Sequence, residues 1–465
     1  MNAGERKEQN IGLAVIAALS TPAAPAGIGV IRVSGDEAVA VADRVFRPAG
    51  NRALHTLSGY QAAFGHVFDE AGDIDECVAL VFRAPHSYTG EDTVELSCHG
   101  GLYGLRRVLR ALYAAGARPA EAGEFTRRAF LNGKMDLTGA EAVMDLIGAS
   151  GRLAAKTALA AREGRVFEQV EQVRNDLLSA AAQFSAFVDY PDEDIPELTE
   201  GALSQTLQNA EKTLTDLLST FDAGRVLREG VDTAIVGSPN VGKSTLMNLL
   251  AGCERSIVTP VAGTTRDIVE ETVVLGEVTL RLADTAGLHD TADTVEAIGV
   301  EKARKRLKDA ALILAVFDGT SPLTDDDRAL ILALDREHTV AIVNKTDRDQ
   351  RIELDEIKAA FPYTVTLSAA TGDGTKALSE AVENITGVAR LQEDAPVLAS
   401  ERQRECVTRA LSAVREGMTA LAGGMTLDAV SVCVDGAIGA ILSLTGERTS
   451  DRVVDEVFRR FCVGK

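Results

Sequence analysis

Apolar residues recur along the chain with two different periods, one typical of strands and the other of helices. Short apolar runs between Gly and Pro turns predict strands at 12–18, 27–33, 77–82 and 93–98. The helical period predicts helices at 37–46 and 101–115. This mixture of short elements predicts a compact α+β domain over residues 1–124.

From residue 125 onward the helical period dominates. One apolar stripe, with members three or four residues apart, predicts a long helix that packs against other helices and ends at Tyr190-Pro191. The members of this stripe are Val166, Val170, Val173, Leu177, Ala180, Phe184 and Phe187. The region 125–228 is therefore predicted to be helical.

After Pro396 the helical period returns in two further stripes. They consist of Val407, Leu411, Val414, Met418 and Leu421, and of Leu427, Val430, Val434, Ile438 and Ile441. Gly446 predicts a helix stop, and a cap at Thr449 or Ser450 predicts a last helix that ends near Phe461.

Between the helical regions, residues 229–386 alternate between strand and helix patterns. The predicted strands are 231–236, 268–275, 278–283, 311–317, 339–343 and 363–367. This rhythm is typical of a mostly parallel sheet covered on both faces, with one hairpin around Gly276.

The chain is thus predicted to be multidomain, with an α+β N-terminal domain and an all-α domain interrupted by an inserted α/β domain. The predicted bounds are 1–124, 125–228, 229–386 and 387–465. Each of the two helical segments leaves an apolar face uncovered, so we expect them to pack together.

Composition limits the partners and the compartment. A net charge of −21, from 48 Lys and Arg against 69 Asp and Glu, disfavours nucleic-acid binding by bulk attraction. Any contact with RNA therefore needs a local basic patch or a partner protein. The six cysteines lack CxxC spacing, which argues against zinc and disulfides and favours the cytoplasm. No apolar run reaches the ~18 residues of a membrane span.

A phosphate-binding motif follows the first strand of the inserted domain. Gly237-Ser-Pro-Asn-Val-Gly-Lys-Ser244 matches the pattern GxxxxGK[ST] and opens a helix. The glycines let backbone N–H groups close around phosphates, Lys243 adds positive charge, and the Ser244 hydroxyl is a candidate Mg²⁺ ligand. The predicted nucleotide contacts of this loop are Asn240, Val241, Gly242, Lys243, Ser244 and Thr245.

Four further motifs lie at or near predicted strand ends, where open α/β sheets bind ligands. They are Thr264-Thr265, Asp284-Thr-Ala-Gly287, Asn344-Lys345-Thr346-Asp347 and Ser368-Ala369. Asp284 can hold Mg²⁺ through water, and the Gly287 N–H can meet the γ-phosphate. Asp347 can accept two hydrogen bonds from guanine N1–H and its exocyclic amine, a donor pair that adenine lacks. The set predicts a GTP-hydrolysing domain.

The group that orients the attacking water departs from the Ras-like pattern. Leu288 stands where Ras-like proteins have a Gln after the Asp-x-x-Gly motif, and a Leu side chain cannot orient water. Glu296 is the nearest candidate, although its spacing alone fits a surface acid better. No arginine finger is identifiable, and the carbonyl oxygen of Asn240 could instead help to ligate a monovalent cation.

Several motifs outside the GTPase set make the sequence resemble one family. They are residues 29–35 (GVIRVSG), 88–92 (YTGED), 123–132 (GEFTRRAFLN), 190–194 (YPDED) and 462–465 (CVGK). Together with Asn240 and the loop Gly263-Thr-Thr-Arg-Asp267, they resemble the MnmE (TrmE) family of tRNA-modifying GTPases. The resemblance spans essentially the whole chain after the first ten residues.

The resemblance implies a homodimer joined through the N-terminal domain, which binds a one-carbon donor of the 5-formyl-tetrahydrofolate type. By motif match, the implied folate contacts are Arg32, Glu95, Lys134 and Lys465. The role of Cys462 stays open between a thiol that reaches the folate or uridine site and a small apolar residue that docks the last helix.

For the GTPase domain, the resemblance implies domains that pair across K⁺. Its implied ligands are Asn240, Thr259, Val261 and Thr264, while Ser244 and Thr265 match the Mg²⁺ ligands. Glu296 matches the carboxylate that orients water, and K⁺ would take the role of the arginine finger.

The family also acts with a flavoprotein, MnmG (GidA), in a heterotetramer in which FAD belongs to the partner. Together they install an aminomethyl or carboxymethylaminomethyl group at C5 of the tRNA wobble uridine. Two rival interpretations remain: a ribosome-assembly GTPase switch, for which no strongly basic domain is visible, and a folate-dependent enzyme with a regulatory GTPase insert.

Overall fold

The fold is taken from a computed structural model of the chain. It describes residues 14–189, 200–252, 271–282 and 310–465, with the backbone alone for residues 184–189 and 271. Within these ranges the contacts divide the chain into two compact units. Unit 1 comprises the residues up to Met144 together with Ser431–Lys465, and unit 2 is Asp145–Val430. The four domain boundaries given above stay predictions.

Unit 1 is built on a 7-stranded sheet with the strand order β3-β4-β5-β6-β2-β1-β7. The strands are β1 (Ile16–Leu19), β2 (Ala26–Ser34), β3 (Phe46–Pro48), β4 (Gln61–Asp69), β5 (Gly72–Phe82), β6 (Thr93–Gly100) and β7 (Arg118–Pro119). All neighbours are antiparallel except β1 and β7. In the register of β2 and β6, Arg32 lies opposite Glu95.

Two helices, α1 (Ala38–Asp43) and α2 (Leu102–Ala114), pack on one face of this sheet. The residues beneath them alternate along each strand, as in Ile31 and Val33 of β2 and Val94 and Leu96 of β6. The other face carries exposed apolar side chains, including Ile28 (62% exposed) and Phe64 (53% exposed). In the described residues, α1 and α2 cover one face, while on the other face Phe125 packs with Ile16 and Ala18 of β1 and the strands β4 and β5 leave apolar side chains exposed.

Unit 1 also contains α3 (Glu124–Leu131), α15 (Asp451–Arg459) and most of α4 (Leu137–Gly148) and α14 (Leu427–Thr445), whose residues 145–148 and 427–430 belong to unit 2. Leu137 and Val143 of α4 form one buried cluster with Val454 and Phe458 of α15. Segments distant in sequence thus build one core, as expected for apolar faces that cannot remain exposed.

Unit 2 contains the helices α5 (Arg152–Arg162), α6 (Arg165–Asp189), α7 (Glu200–Leu218), α8 (Phe221–Glu229) and α13 (Glu401–Ala422). The stripe Val166, Val170, Val173, Leu177 and Ala180 on α6 is buried. Helices α7 and α13 pack together, and Arg415 Nε donates to Glu211 Oε1 across them at 2.7 Å. The expected pairing of the two helical segments is confirmed.

The second sheet, also in unit 2, has 6 strands in the order β13-β12-β11-β8-β10-β9. The strands are β8 (Val231–Val236), β9 (Glu271–Leu275), β10 (Val278–Leu282), β11 (Leu312–Asp318), β12 (Thr339–Asn344) and β13 (Tyr363–Thr366). All pair in parallel except β9 with β10, which form the predicted hairpin at Gly276. The flanking helices are α9 (Lys243–Gly252), α10 (Asp325–Ala333), α11 (Leu354–Ala360) and α12 (Thr375–Ile385).

Helix α14 is the one helix of the described ranges that is long and apolar enough to cross a bilayer by length and composition. Its residues Val434, Ile438 and Ile441 are buried within the protein. A core helix passes the same test of length and composition, so one such helix is weak evidence for a membrane span.

Candidate functional site

The phosphate-binding loop leaves the end of β8, which lies between β11 and β10 in the sheet. Its backbone has positive φ at Gly237 (147°), Asn240 (65°) and Gly242 (102°). A Cβ on Gly237 would lie 2.2 Å from the carbonyl oxygen of Val316, and one on Gly242 would lie 2.3 Å from Asn344 Nδ2. Only glycine fits at these two positions, so the motif's glycines follow from conformation and from space.

Lys243 begins helix α9 and turns its side chain back over the loop. Its Nζ donates to the carbonyl oxygens of Gly237 at 2.8 Å and Ser238 at 2.9 Å. Burial lowers the pKa of Lys243, because the charged form loses solvation. A phosphate group bound in the loop would give this partly buried ammonium an anionic partner.

A buried carboxylate on the neighbouring helix α10 holds the loop from outside. Asp327 Oδ1 accepts a hydrogen bond from Ser238 Oγ at 2.6 Å, and its Oδ2 accepts from the N–H of Thr324 at 3.0 Å. Burial raises the pKa of Asp327, but the hydrogen bonds from Ser238 and Thr324 outweigh it and hold the pKa below its usual value. Asp327 was not among the predicted site residues, although its capping-box position three residues after Thr324 is a recognisable signal.

Asn344, at the end of β12, links three segments of the site. It is 3% exposed, its Nδ2 donates to the carbonyl oxygen of Val241 at 2.8 Å, and its Oδ1 accepts from the N–H of Ala369 at 2.9 Å. The Asn of the Asn-Lys-Thr-Asp motif therefore fixes the phosphate loop and the Ser368-Ala369 loop relative to each other.

Lys345 and Asp318 form the next layer beside the loop. Lys345 Nζ donates to the carbonyl oxygen of Asn240 at 2.9 Å and to Asp318 Oδ2 at 2.6 Å. Burial raises the pKa of Asp318, yet the hydrogen bonds from Lys345 and Thr320 outweigh it and lower the pKa. Asp318 ends β11, and that strand-end position was the signal by which the sequence could have revealed it.

Asp347, the last residue of the Asn-Lys-Thr-Asp motif, is exposed. Its Oδ1 accepts a hydrogen bond from Ser368 Oγ at 2.7 Å, which lowers the pKa of Asp347. The carboxylate is thereby kept ionised, in the form that accepts hydrogen bonds from two N–H donors at once.

The remaining predicted residues of the nucleotide site lie outside the described ranges. They are Thr259, Val261, Thr264, Thr265, Asp284, Gly287 and Glu296. Ser244 and Thr245 are exposed in the first turn of α9, and the side chain of Asn240 is exposed above the loop.

A second cluster forms in unit 1 around Arg32. Its Nε and Nη2 contact Glu95 Oε1 at 2.9 Å and 2.8 Å, as the strand register requires. The guanidinium carbon lies 5.1 Å from the ring centroid of Tyr88 and 5.6 Å from that of Phe125. Its buried Nη1 has no hydrogen-bond partner within the described residues, so it can donate a hydrogen bond to an acceptor atom of a ligand.

Two of the sequence motifs meet behind this cluster and fix its position. Arg128, which is 2% exposed, donates to Glu91 Oε2 at 3.0 Å and to Glu124 Oε1 at 3.0 Å. Ser34 at the end of β2 donates to Glu91 Oε2 at 2.9 Å, and Tyr88 and Thr126 share a hydrogen bond at 2.8 Å. These contacts explain how the charged residues Glu124 and Arg128 can be buried and how Glu91 can be partly buried beside them.

Residues 462–465 lie against the same part of unit 1. The Phe125 N–H donates to the carbonyl oxygen of Lys465 at 3.2 Å, and the Gly123 N–H to that of Cys462 at 3.4 Å. Cys462 is exposed. Lys134 is exposed too, and its Nζ donates to the carbonyl oxygen of Pro85 at 3.0 Å. The structure thus groups Arg32 with Glu95 and places Lys465 at Phe125, while the ligand roles of all four residues stay predictions.

A parallel sheet with a phosphate loop, and an Asn-Lys-Thr-Asp segment bonded to that loop, define a P-loop protein of the GTPase class. Family models place the chain more narrowly. Residues 15–134 match the model described as GTP-binding protein TrmE N-terminus, and residues 137–462 match the MnmE helical domain. The chain belongs to the MnmE family of tRNA modification GTPases.

Two relatives are similar to the chain over nearly its full length. The chain is 42% identical over 457 residues to the tRNA modification GTPase MnmE of Geobacter sulfurreducens, covering 97% of this chain and 99% of that protein. It is 40% identical over 459 residues to the same-named protein of Symbiobacterium thermophilum, covering 98% and 100%.

Solved structures resemble a shorter stretch. The G domain of the T. maritima FeoB iron transporter matches at 26% identity and a TM-score of 0.26, over 33% of this chain and 98% of that chain. Aquifex aeolicus Era bound to GDP and aluminium fluoride matches at 28% identity and a TM-score of 0.26, over 39% and 66%.

Proposed function

We propose that this GTPase, together with a flavoprotein of the MnmG (GidA) type, adds an aminomethyl or carboxymethylaminomethyl group at C5 of the wobble uridine of tRNA. The observation that carries the proposal is that one chain contains both a guanine-nucleotide loop and a partly buried Arg32–Glu95 cluster. The family membership supports the tRNA substrate. The compartment that suits this chemistry is the cytoplasm.

At the nucleotide site, Asn240–Thr245 would enclose the phosphates of GTP, and Asp347 would select guanine. Ser244 and Thr265 would hold Mg²⁺, with Asp284 through water and Gly287 at the γ-phosphate. The exposed hydroxyl of Ser244 in the first turn of α9 fits a Mg²⁺ ligand. A bound Mg²⁺ supplies positive charge at the phosphates.

A K⁺ ion would be held by Asn240 with Thr259, Val261 and Thr264. The Asn240 backbone has φ of 65°, and its carbonyl oxygen accepts a hydrogen bond from Lys345. The exposed side chain of Asn240 has no partner within the described ranges. Its amide oxygen is a hard ligand of the type that such cations prefer. Because no arginine finger is identifiable, K⁺ would supply that positive charge.

Glu296 is proposed to orient the attacking water. In the Glu296→Ala variant we expect GTP hydrolysis to collapse while GTP binding survives, measured as single-turnover hydrolysis and nucleotide affinity on the same preparation. Loss of binding instead would show that Glu296 has a structural role.

The Arg32 cluster is proposed to hold a 5-formyl-tetrahydrofolate-type donor, with Glu95, Lys134 and Lys465 as further contacts. The buried Nη1 without a partner, and the rings of Tyr88 and Phe125, suit a flat ligand that carries hydrogen-bond acceptors. When bound, the folate supplies the one-carbon unit. Cys462 is proposed as a thiol near this site, at the carbonyl contact with Gly123.

The exposed face of the first sheet supports a homodimer through the N-terminal domain. Phe64 and Val78 face each other across β4 and β5, and both are exposed. A second copy of the chain would remove these apolar surfaces from water. The assembly with the flavoprotein, which carries FAD, would then be a heterotetramer.

The test is mass spectrometry of tRNA nucleosides from cells that lack this gene, with and without complementation. The proposal predicts that C5-modified wobble uridines vanish and return with the intact gene. Persistence of these nucleosides would remove the tRNA assignment, leave the GTPase assignment standing and favour a ribosome-assembly switch.

A further inference from the structure

The outward face of helix α2 carries one aromatic residue and two arginines. Tyr103, Arg106 and Arg110 follow at intervals of three and four residues, so they share one side of the helix. Tyr103 is 77% exposed, and both arginines are exposed. The opposite side, with Leu105 and Val108, is buried on the sheet. We refer to Tyr103, Arg106 and Arg110 as the arginine face.

Along the sequence, the segment that carries the arginine face differs in charge from the whole chain, while Asp75 of β5 lies at its start and pairs with His99. The chain has a net charge of −21, but residues 99–120 contain no Asp or Glu. The neighbouring Arg107 is already paired with Asp69 at 2.7 Å. Within the described residues, Arg106 and Arg110 have neither an ion pair nor a hydrogen bond, so their guanidinium donors remain available.

We propose that the arginine face binds the phosphate backbone of tRNA, an inference that rests on the proposed function. Guanidinium groups bind phosphate oxygens in a two-pronged geometry. Arg106 and Arg110 are one helical turn apart, about 6 Å along the axis, so each can contact a separate phosphate. Tyr103 adds an exposed ring that can stack on an unpaired base.

The arginine face and the Arg32 cluster lie on opposite faces of the sheet, which favours a binding role for the arginine face. The side chain of Leu105 packs against Gly29 of β2, where an added Cβ would lie 2.5 Å from Leu105 Cδ1. Arg32 is three residues further along β2, so its side chain leaves the sheet on the opposite face. Substitutions in the arginine face should therefore raise KM for tRNA and leave kcat nearly unchanged.

The decisive experiment measures binding of fluorescently labelled, unmodified tRNA to the full-length chain by anisotropy over a range of salt concentrations. In the Arg106→Ala/Arg110→Ala variant we expect about tenfold weaker binding at low salt. The slope of log Kd against log salt should fall by about 1.5, since each lost phosphate contact removes 0.7–0.9. GTP hydrolysis should be unchanged.

A matched control removes the same amount of charge elsewhere. Arg336 and Lys358 are exposed, and neither has an ion pair in the part of the chain that the structure describes. The Arg336→Ala/Lys358→Ala variant should keep the wild-type slope. Tyr103→Ala should weaken binding without changing the slope, because loss of an aromatic contact releases no counterions.

The outcomes separate this inference from the proposed function. If the wild-type protein with its flavoprotein partner modifies wobble uridine but the double variant binds tRNA with wild-type affinity and slope, the inference alone is overturned. If the double variant loses flavoprotein binding and keeps tRNA binding, the face is a protein interface and the inference is again wrong. If the wild type itself does not modify tRNA, the proposed function fails.

Discussion

At the scale of single residues, unit 1 depends on a charge network around the buried Glu124 and Arg128. Glu124 accepts from Arg118 and Arg128, and Arg128 also donates to Glu91. Such charges are stable in a protein interior only when every partner is present. This network stabilises unit 1, and it also positions the rings of Phe125 and Tyr88 beside Arg32.

Replacing Glu124 with Gln should destabilise the protein and flatten its response to acid. Burial raises the pKa of Glu124, but hydrogen bonds from Arg118, the Glu121 N–H and Arg128 outweigh it, so the folded pKa is low. The contribution to stability is therefore complete above the unfolded pKa and is lost as pH falls through the folded pKa. At pH 7 we expect a loss of about 3 kcal/mol.

Chemical denaturation at several pH values measures this prediction. Glu121→Gln is the matched control, since Glu121 is exposed and uses its backbone N–H, not its carboxylate, in the contact. Equal losses in both variants would contradict the prediction.

Asp347→Asn should weaken GTP binding about 100-fold, because an amide in place of the carboxylate meets the guanine N–H donors with its own N–H. Xanthosine triphosphate, which offers an oxygen in place of the exocyclic amine, should bind the variant better than GTP. Competition binding with both nucleotides measures the change. Asp349→Asn, two residues away and exposed, should leave the preference intact.

At the scale of elements, the N-terminus of α10 holds the phosphate loop through Asp327 and Ser238. The same carboxylate completes the capping box of α10 with Thr324. The conformation of the loop is therefore coupled to the start of a helix that contributes no residue to the predicted nucleotide contacts.

A double-mutant cycle with Ser238→Ala and Asp327→Ala should show a coupling of about 1–2 kcal/mol in the free energy of unfolding. Both single variants should weaken GTP affinity, and the double variant should weaken it little further. Asp326→Ala, on the same helix and exposed, serves as control. Additive effects of the two substitutions would rule out the coupling.

Periodic elements could be predicted from the sequence, whereas polar strands could not. The helix stripes on α6 and α13 and the parallel strands of unit 2 were predicted because burial imposes a regular apolar pattern. Strand β4 was missed, and β5 begins at Gly72, five residues before its predicted start, because Asp73, Asp75 and Glu76 interrupt the apolar pattern. An antiparallel sheet with one exposed face admits such polar positions.

At the scale of the whole molecule, residues 462–465 complete unit 1. Gly464 has φ of 101°, and a Cβ there would lie 2.2 Å from the carbonyl oxygen of Leu19. Ser20 Oγ donates to the carbonyl oxygen of Gly464 at 3.1 Å. This close approach permits only glycine, which explains its place in the CVGK motif.

Gly464→Ala should displace this segment, raise the rate of hydrogen exchange at the Gly123 and Phe125 amides and weaken folate binding. Nucleotide affinity should not change, since the phosphate loop lies in unit 2. Gly424→Ala is the control: its φ is 68°, but an added Cβ would meet nothing within 4 Å. Similar exchange at these two amides in both variants would show that general destabilisation, not loss of the close approach to Leu19, is responsible.

Sequence motifs predicted residues of the candidate sites, but they did not predict the contacts between residues distant in sequence. The phosphate loop and the Asn344–Asp347 segment could be predicted because their spacing is local, and strand ends converge in a parallel sheet. Ser238 with Asp327, and Tyr88 with Phe125, join positions far apart in sequence, and no local pattern encodes such pairs. Arg32 opposite Glu95 required the strand register as well as the motif.

The discontinuity of unit 1 has a consequence for biosynthesis. Leu137 and Val143 pack on Val454 and Phe458, yet the ribosome makes residues 145–430 between them. At about 5–20 residues per second, that interval lasts about 15–60 s. During it the nascent N-terminal segment keeps an uncovered apolar surface, so chaperones should engage this segment until residues 431–465 emerge. Ribosome profiling of chaperone-bound nascent chains would locate that interval.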